Sequence, residues 1–97
     1  GLAGVTLGGF AGTGTPTRGS GFSVSNPATG QYDLVFDTAA ATANDQSIAV
    51  TAAQLAPTSI SVTCTFYSVT EATVWVATAG DVAAASACSF IRNYIAA

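Results

Sequence analysis

Lysine and histidine are both absent from this chain of 97 residues, and charged side chains of every kind make up only 7% of it. A typical soluble domain carries about 25% charged residues. Hydrophobic residues account for 49% of the chain, and a monomer of that composition would expose apolar patches that favour association. The composition therefore favours a subunit whose surface is covered by copies of itself or by a larger assembly.

The missing side chains also exclude most catalytic chemistry. Without histidine there is no Ser-His or Cys-His nucleophile pair and little scope for zinc or copper, and without lysine there is no Schiff base. Asp33 and Asp37 share a strand face but lie about 13 Å apart at the usual rise per residue, which exceeds the spacing of a glycosidase pair. Asn44 and Asp45 lack the further oxygen ligands of a calcium site. We therefore expect no enzyme activity, no catalytic residues, no metal and no cofactor.

Charge and hydropathy limit the partners as well. The net charge is −3 and the isoelectric point is near 4.1, whereas nucleic acids and anionic membranes attract clustered Lys and Arg. The sequence has no run of 18 consecutive apolar residues, so we expect no transmembrane helix. Because the chain begins with Gly1 rather than Met and has no basic leader, we expect a processed product or a piece of a longer protein.

Two cysteines, Cys64 and Cys88, are the only thiols. Each shares its strand parity with a phenylalanine two residues further on, which predicts that both point into the core. In an oxidising compartment they would form a disulfide worth about 3 kcal/mol. As free thiols they would instead behave as small buried hydrophobes, and the sequence leaves both alternatives open.

Glycine divides the chain, since nine of the ten glycines fall within residues 1–30. Glycines weaken any helix or strand that residues 1–21 would form. We therefore predict an extended arm or shaft junction over 1–21, followed by a domain over 22–97. The alternative is a disordered tail. The apolar side chains that would dock the arm on another subunit are Leu2, Val5, Leu7 and Phe10.

From Phe22 onward, apolar and polar residues alternate as they do in half-buried strands. A turn cluster at 26–30, a loop at 38–46, a break at Pro57 and a turn at Gly80-Asp81 separate the runs, and 81–86 reads as a loop or short turn. These signals predict an all-β fold, either an antiparallel sandwich or a barrel. The six predicted strands are 22–25, 32–37, 48–52, 60–67, 73–77 and 88–95.

Tyr67 and Trp75 are the aromatic residues of greatest interest. Their parity is opposite to that of the neighbouring apolar residues, which predicts that both point outward. An outward Tyr or Trp can stack on a sugar ring or fill a pocket of a partner. The alternative is a structural role, either in an interface or in a second layer of the core.

Three segments carry a resemblance to a known class of protein. Residues 17–24 read TRGSGFSV and residues 29–36 read TGQYDLVF, while the chain ends with ATVWV at 72–76 and SACSFI at 86–91. This pattern resembles the small β-sandwich head domains of phage tail fibres and of bacterial collagen-like surface proteins, although the Ala/Thr-rich stretch 38–58 departs from it.

The resemblance implies an antiparallel, jelly-roll-like sandwich that forms a homotrimer on a fibre or shaft. It also implies an extracellular location, on a virion or a cell-surface appendage, and a cell-surface glycan or protein as receptor. An alternative is the subunit of an extracellular filament or capsid layer, in which residues 1–21 dock on the next subunit. A monomeric carbohydrate-binding domain is a further possibility.

Overall fold

The structure, a computed structural model, describes residues 1–53 and 59–97. In that part of the chain every regular element is a strand, and no helix is long and apolar enough to span a membrane. The strands are β1 (Ala3–Phe10), β2 (Pro16–Gly19), β3 (Phe22–Ala28), β4 (Gln31–Phe36), β5 (Gln46–Ala52), β6 (Ile60–Phe66), β7 (Glu71–Thr78), β8 (Val82–Ala83) and β9 (Cys88–Ile95).

The strands form two antiparallel sheets that pack on a common core. Sheet A has the order β2-β1-β9-β5, and sheet B has the order β3-β4-β7-β6 with β8 paired to the end of β7. The hairpins β3–β4 and β6–β7 stay within sheet B. The predicted antiparallel β-sandwich is confirmed.

Each of the six predicted runs corresponds to a strand, from β3 to β7 and β9. The turn predicted at 26–30 is a tight connection at Thr29-Gly30, where Gly30 has φ +74°, a value that favours glycine. The segment 81–86, expected as a loop or short turn, also contains the two-residue strand β8. The break predicted at Pro57 lies outside the described residues.

The inward faces of the two sheets supply the core. Alternate residues of each strand point inward, as period-two patterning requires; β4, for example, buries Tyr32, Leu34 and Phe36. The Tyr32 hydroxyl is satisfied, since it donates to the Gly12 carbonyl at 2.7 Å and accepts from the Ser86 amide at 3.2 Å. The buried cluster consists of Phe10, Tyr32, Leu34, Phe36, Ala72, Val74, Val76, Cys88 and Phe90.

The glycine-rich segment 1–21 lies in the sandwich rather than beside it, which differs from the predicted arm. β1 is an inner strand of sheet A and pairs with β9 over its full length, from Ala3 opposite Ile95 to Phe10 opposite Cys88. The Phe10 side chain is fully buried, and its ring centroid lies 4.8 Å from that of Tyr32. The expected boundary at 21/22 therefore falls inside a single folding unit.

Aromatic rings explain two of the glycines of β1, which lie four residues apart. Gly4 and Gly8 face the core, where a Cβ atom on Gly4 would lie 2.5 Å from the Tyr94 ring. A Cβ atom on Gly8 would lie 2.7 Å from the Phe90 ring. Glycine in a strand interior commonly marks such a close approach, so these glycines make room for the core.

Arg92 is fully buried on the inward face of β9. Its guanidinium carbon lies 4.3 Å from the ring centroids of both Phe36 and Tyr94. Four hydrogen bonds of 2.8–3.1 Å lead to uncharged oxygens: Gln46 Oε1, which accepts two, and the carbonyls of Thr38 and Val69. Burial lowers the pKa of Arg92, and Tyr94 opposes that shift, but an arginine remains charged in proteins. Arg92 thus ties the 38–46 loop and the β6–β7 turn to sheet A.

Candidate functional site

The outer face of sheet B carries the exposed aromatic residues. Trp75 lies on β7 between Gln31 of β4 and Thr63 of β6, and Tyr67 follows β6 directly. The two side chains are 37% and 62% exposed, with ring centroids 6.4 Å apart at an interplanar angle of 70°. The prediction that both point outward is confirmed, and the fold brings them together.

Polar side chains adjoin this aromatic pair. Asp33 of β4 lies opposite Thr73 of β7. Its Oδ1 accepts a hydrogen bond of 2.9 Å from the Thr73 hydroxyl and one of 3.4 Å from the Gln31 amide. Glu71 lies on the same outer face, opposite Val35. A depression of about 290 Å³ is lined by Gln31, Asp33, Leu34, Val35, Tyr67, Glu71, Ala72 and Thr73.

Sequence reasoning did not associate Asp33 with Glu71 or Thr73, because only the register between β4 and β7 brings them together. Asp37 was predicted to share a strand face with Asp33. It is exposed beyond the end of β4 and does not line the depression. The arrangement can accept hydrogen bonds and offer aromatic surface to a ligand.

The outer face of sheet A combines exposed apolar side chains with the polar residues Asn93, Ser47 and Thr51, and Arg18 lies over Gly9 at one end. Leu7 and Ile91 are paired across β1 and β9 and are 55% and 48% exposed. The exposed Val5 and Ile95 lie nearby, and Ala49 of β5 lies opposite Ile91. We call the surface formed by Val5, Leu7, Ile91 and Ile95 the apolar face.

The four side chains predicted to dock an arm thus separate into two groups. Leu2, Val5 and Leu7 are exposed, and the latter two belong to the apolar face. Phe10 lies in the core of its own chain, because β1 alternates its side chains between the two sides of the sheet. Phe10 is therefore not available to another subunit in this structure.

Both cysteines are free thiols. Cys88 of β9 is buried in the core. Cys64 lies on β6 of the opposite sheet and packs against the same core cluster. The predicted inward orientation is confirmed. Burial raises the pKa of both thiols from 9.0 to about 11, so neither is a reactive thiolate at neutral pH.

A second, open depression of about 420 Å³ lies where β1 and β5 begin and β9 ends. Asn44 and Asp45, considered above for calcium, contribute to its wall. The Asp45 carboxylate accepts a 2.8 Å hydrogen bond from the Thr42 hydroxyl within its own loop. In residues 1–53 and 59–97, no three His, Cys, Asp or Glu side chains are grouped as metal ligands.

Family models, curated proteins and solved structures were each compared with the chain, and none of them matches it.

Proposed function

We propose that this protein is a non-enzymatic structural and adhesive module that works as a homo-oligomer, as the receptor-binding head of a viral or bacterial surface fibre. The observation that carries the proposal is the apolar face, where Leu7 and Ile91 leave about half of their surface in water on two central strands. Contiguous exposed apolar surface of this kind marks interaction sites. The lack of histidine and lysine in the sequence supports a role without catalysis.

The area of sheet A is close to that of a specific contact. β1 and β9 pair along all eight residues of each strand, while β5 has seven residues and β2 has four. With strands about 4.8 Å apart and a rise of about 3.3 Å per residue, this face measures on the order of 430 Å². Two such faces bury on the order of 900 Å² in total, slightly below the roughly 1,000 Å² of a specific protein interface, so residues that flank the strands would have to contribute.

A second copy of the chain is the occupant that the charges favour. Among the residues of sheet A, Arg92 is buried and Arg18 lies at one end, across Gly9. Two copies that meet face to face therefore desolvate no charge at the centre of the contact. The apolar face is flanked by one charge of each sign, Arg18 beside Leu7 and Asp45 beside Val5 and Ile95, so a partner with charges of one sign would meet a like charge. An anionic membrane would repel a chain with a net charge of −3.

An open filament is a second candidate, which the edge of β1 favours. β2 pairs only with Gly8, Gly9 and Phe10 of β1, so in the described residues no strand lies beside 3–7 on that edge. Proteins commonly protect such edges with lysine, proline or a bulge, and residues 3–7 contain no charge and no proline. Strand pairing between copies at this edge would link subunits into an open chain.

Sedimentation equilibrium of the purified protein tests the proposal. A closed head predicts a discrete particle of a few chains of 9.5 kDa each, with a mass that is constant over a wide concentration range. A monomer at every concentration up to millimolar would contradict assembly. A mass that grows with concentration, together with filaments in negative-stain micrographs, would contradict the closed head and support the open filament.

A further inference from the structure

We propose that the outer face of sheet B around Trp75 binds a neutral carbohydrate, an inference that rests on the adhesive function proposed above and names its ligand class. Sugars present two kinds of surface to a protein. Their C–H faces pack on aromatic rings, and their hydroxyl groups hydrogen-bond to carboxylates and amides. Trp75, Tyr67, Asp33, Glu71 and Gln31 supply both kinds of group on one sheet face.

The aromatic part of the site is preformed. Trp75 is fixed in β7, a strand with neighbours on both sides. Tyr67 is held at the β6–β7 turn, where its amide donates to the Glu71 carbonyl at 2.9 Å. Both rings keep exposed apolar surface without a further element of the described chain to cover it. The backbone at both aromatic residues is therefore fixed before a ligand binds, which lowers the entropy cost of binding.

The polar part of the site has unused acceptors. Both hydrogen bonds to the Asp33 carboxylate reach Oδ1, and within the described residues Oδ2 has no hydrogen-bond partner. The Glu71 carboxylate likewise receives no hydrogen bond from the described part of the chain. An ionised carboxylate only accepts hydrogen bonds, so these oxygens suit the hydroxyl donors of a sugar.

Charge restricts the class of sugar. Asp33 and Glu71, the two residues of the depression that count as charged, are both acidic. The only two cations in the sequence lie elsewhere, since Arg92 is buried and Arg18 belongs to sheet A. Sialylated, sulfated and phosphorylated glycans would meet negative charge without compensation. The volume of about 290 Å³ lies at the lower end of small-ligand sites, which suits a short neutral glycan.

Trp75 is the only tryptophan of the chain, and its ring lies beside that of Tyr67, which lines the depression, so its fluorescence reports on a ligand that contacts the aromatic pair. The purified protein is titrated with methyl glycosides of galactose, glucose, mannose and N-acetylglucosamine, and is applied to a printed array of neutral, sialylated and sulfated glycans. We expect a saturable change in fluorescence with at least one neutral sugar and array binding confined to neutral glycans. No binding to any neutral glycan, or binding that requires sialic acid or sulfate, would overturn the proposal.

Variants test the assignment of the site, with calorimetry as the readout. We expect Trp75→Ala to remove binding and Asp33→Asn to weaken it at least tenfold, while the matched control Asp37→Asn keeps the wild-type affinity. Tyr67→Ala, at a turn, serves as a second aromatic variant if Trp75→Ala does not fold. Wild-type affinity in a folded aromatic variant would overturn the assignment.

The two proposals fail separately, because particle mass and sugar binding are different measurements. A stable oligomer that binds no sugar would overturn only the carbohydrate site. A monomer that binds sugar through Trp75 would overturn only the assembly.

Discussion

Arg92 joins separate parts of the fold, since it fills the space between Phe36 and Tyr94 and satisfies three oxygens from separate segments. Arg92→Ala leaves those acceptors without their donors and opens a cavity. We expect a loss of about 3 kcal/mol or more in the free energy of unfolding, measured by urea denaturation.

Arg18→Ala is the matched control for that variant. Arg18 carries the same charge but is exposed, so we expect its removal to change the free energy of unfolding by about 0.5 kcal/mol or less. Equal losses in the two variants would contradict the structural role assigned to Arg92.

The buried thiols predict a pH dependence of stability. Folding raises the pKa of Cys64 and Cys88 from 9.0 to about 11, so the unfolded chain releases protons at lower pH than the folded one. Their contribution to stability is complete below about pH 9 and is lost as the pH rises toward 11.

Urea midpoints measured from pH 8 to pH 11 test this dependence. The Cys64→Ala/Cys88→Ala double variant is the control, because it keeps the tyrosines that also titrate in this range. We expect the wild type to lose more stability than the double variant over these pH values. Parallel curves would show that the thiols are not buried as the structure has them.

Among the elements, β1 shows where sequence patterns stop being informative. The strands β3 to β7 and β9 follow from strict alternation with β-branched and aromatic residues. β1 has glycine at inward positions, and the rings that occupy the space above Gly4 and Gly8 come from Phe22, Phe90 and Tyr94. Those rings belong to other strands. The sequence of β1 alone therefore predicts a weak strand, whereas the fold uses this segment as an inner strand of sheet A.

The aromatic site was predictable only in part for the same reason. Strand parity predicted outward positions for Tyr67 and Trp75. The neighbourhood of Asp33, Thr73 and Glu71 depends on the register of β4 against β7, and these strands are separated by two other strands in the sequence. No local pattern encodes that register.

Deletion of residues 1–21 tests the position of β1. It removes an inner strand of sheet A together with Phe10, whose ring packs on Tyr32. We expect the shortened chain to lose cooperative thermal unfolding as followed by circular dichroism, because the core and the β9 pairing are both disrupted. Deletion of residues 1–2, which precede β1, should leave the fold intact. A folded chain without residues 1–21 would show that they form a separable arm.

At the scale of the whole molecule, the two outer faces of the sandwich differ in character. The face of sheet A is apolar around Leu7 and Ile91, whereas the face of sheet B combines Trp75 and Tyr67 with carboxylates. The outer face of sheet A is suited to contact with other copies of the chain, and the outer face of sheet B is suited to a hydrophilic ligand. The exposed charges nearest to the surface that we expect to be buried are Arg18 and Asp45, which flank it.

The central claim is that the apolar face is an interface between copies. Leu7→Glu places a charge on it, and Val82→Glu places the same charge on a similarly exposed residue of sheet B. Sedimentation equilibrium of both variants beside the wild type tests the claim most directly. We expect an oligomer for the wild type and for Val82→Glu, and a folded 9.5-kDa monomer for Leu7→Glu. An unchanged oligomer in Leu7→Glu, or a monomeric wild type, would contradict it.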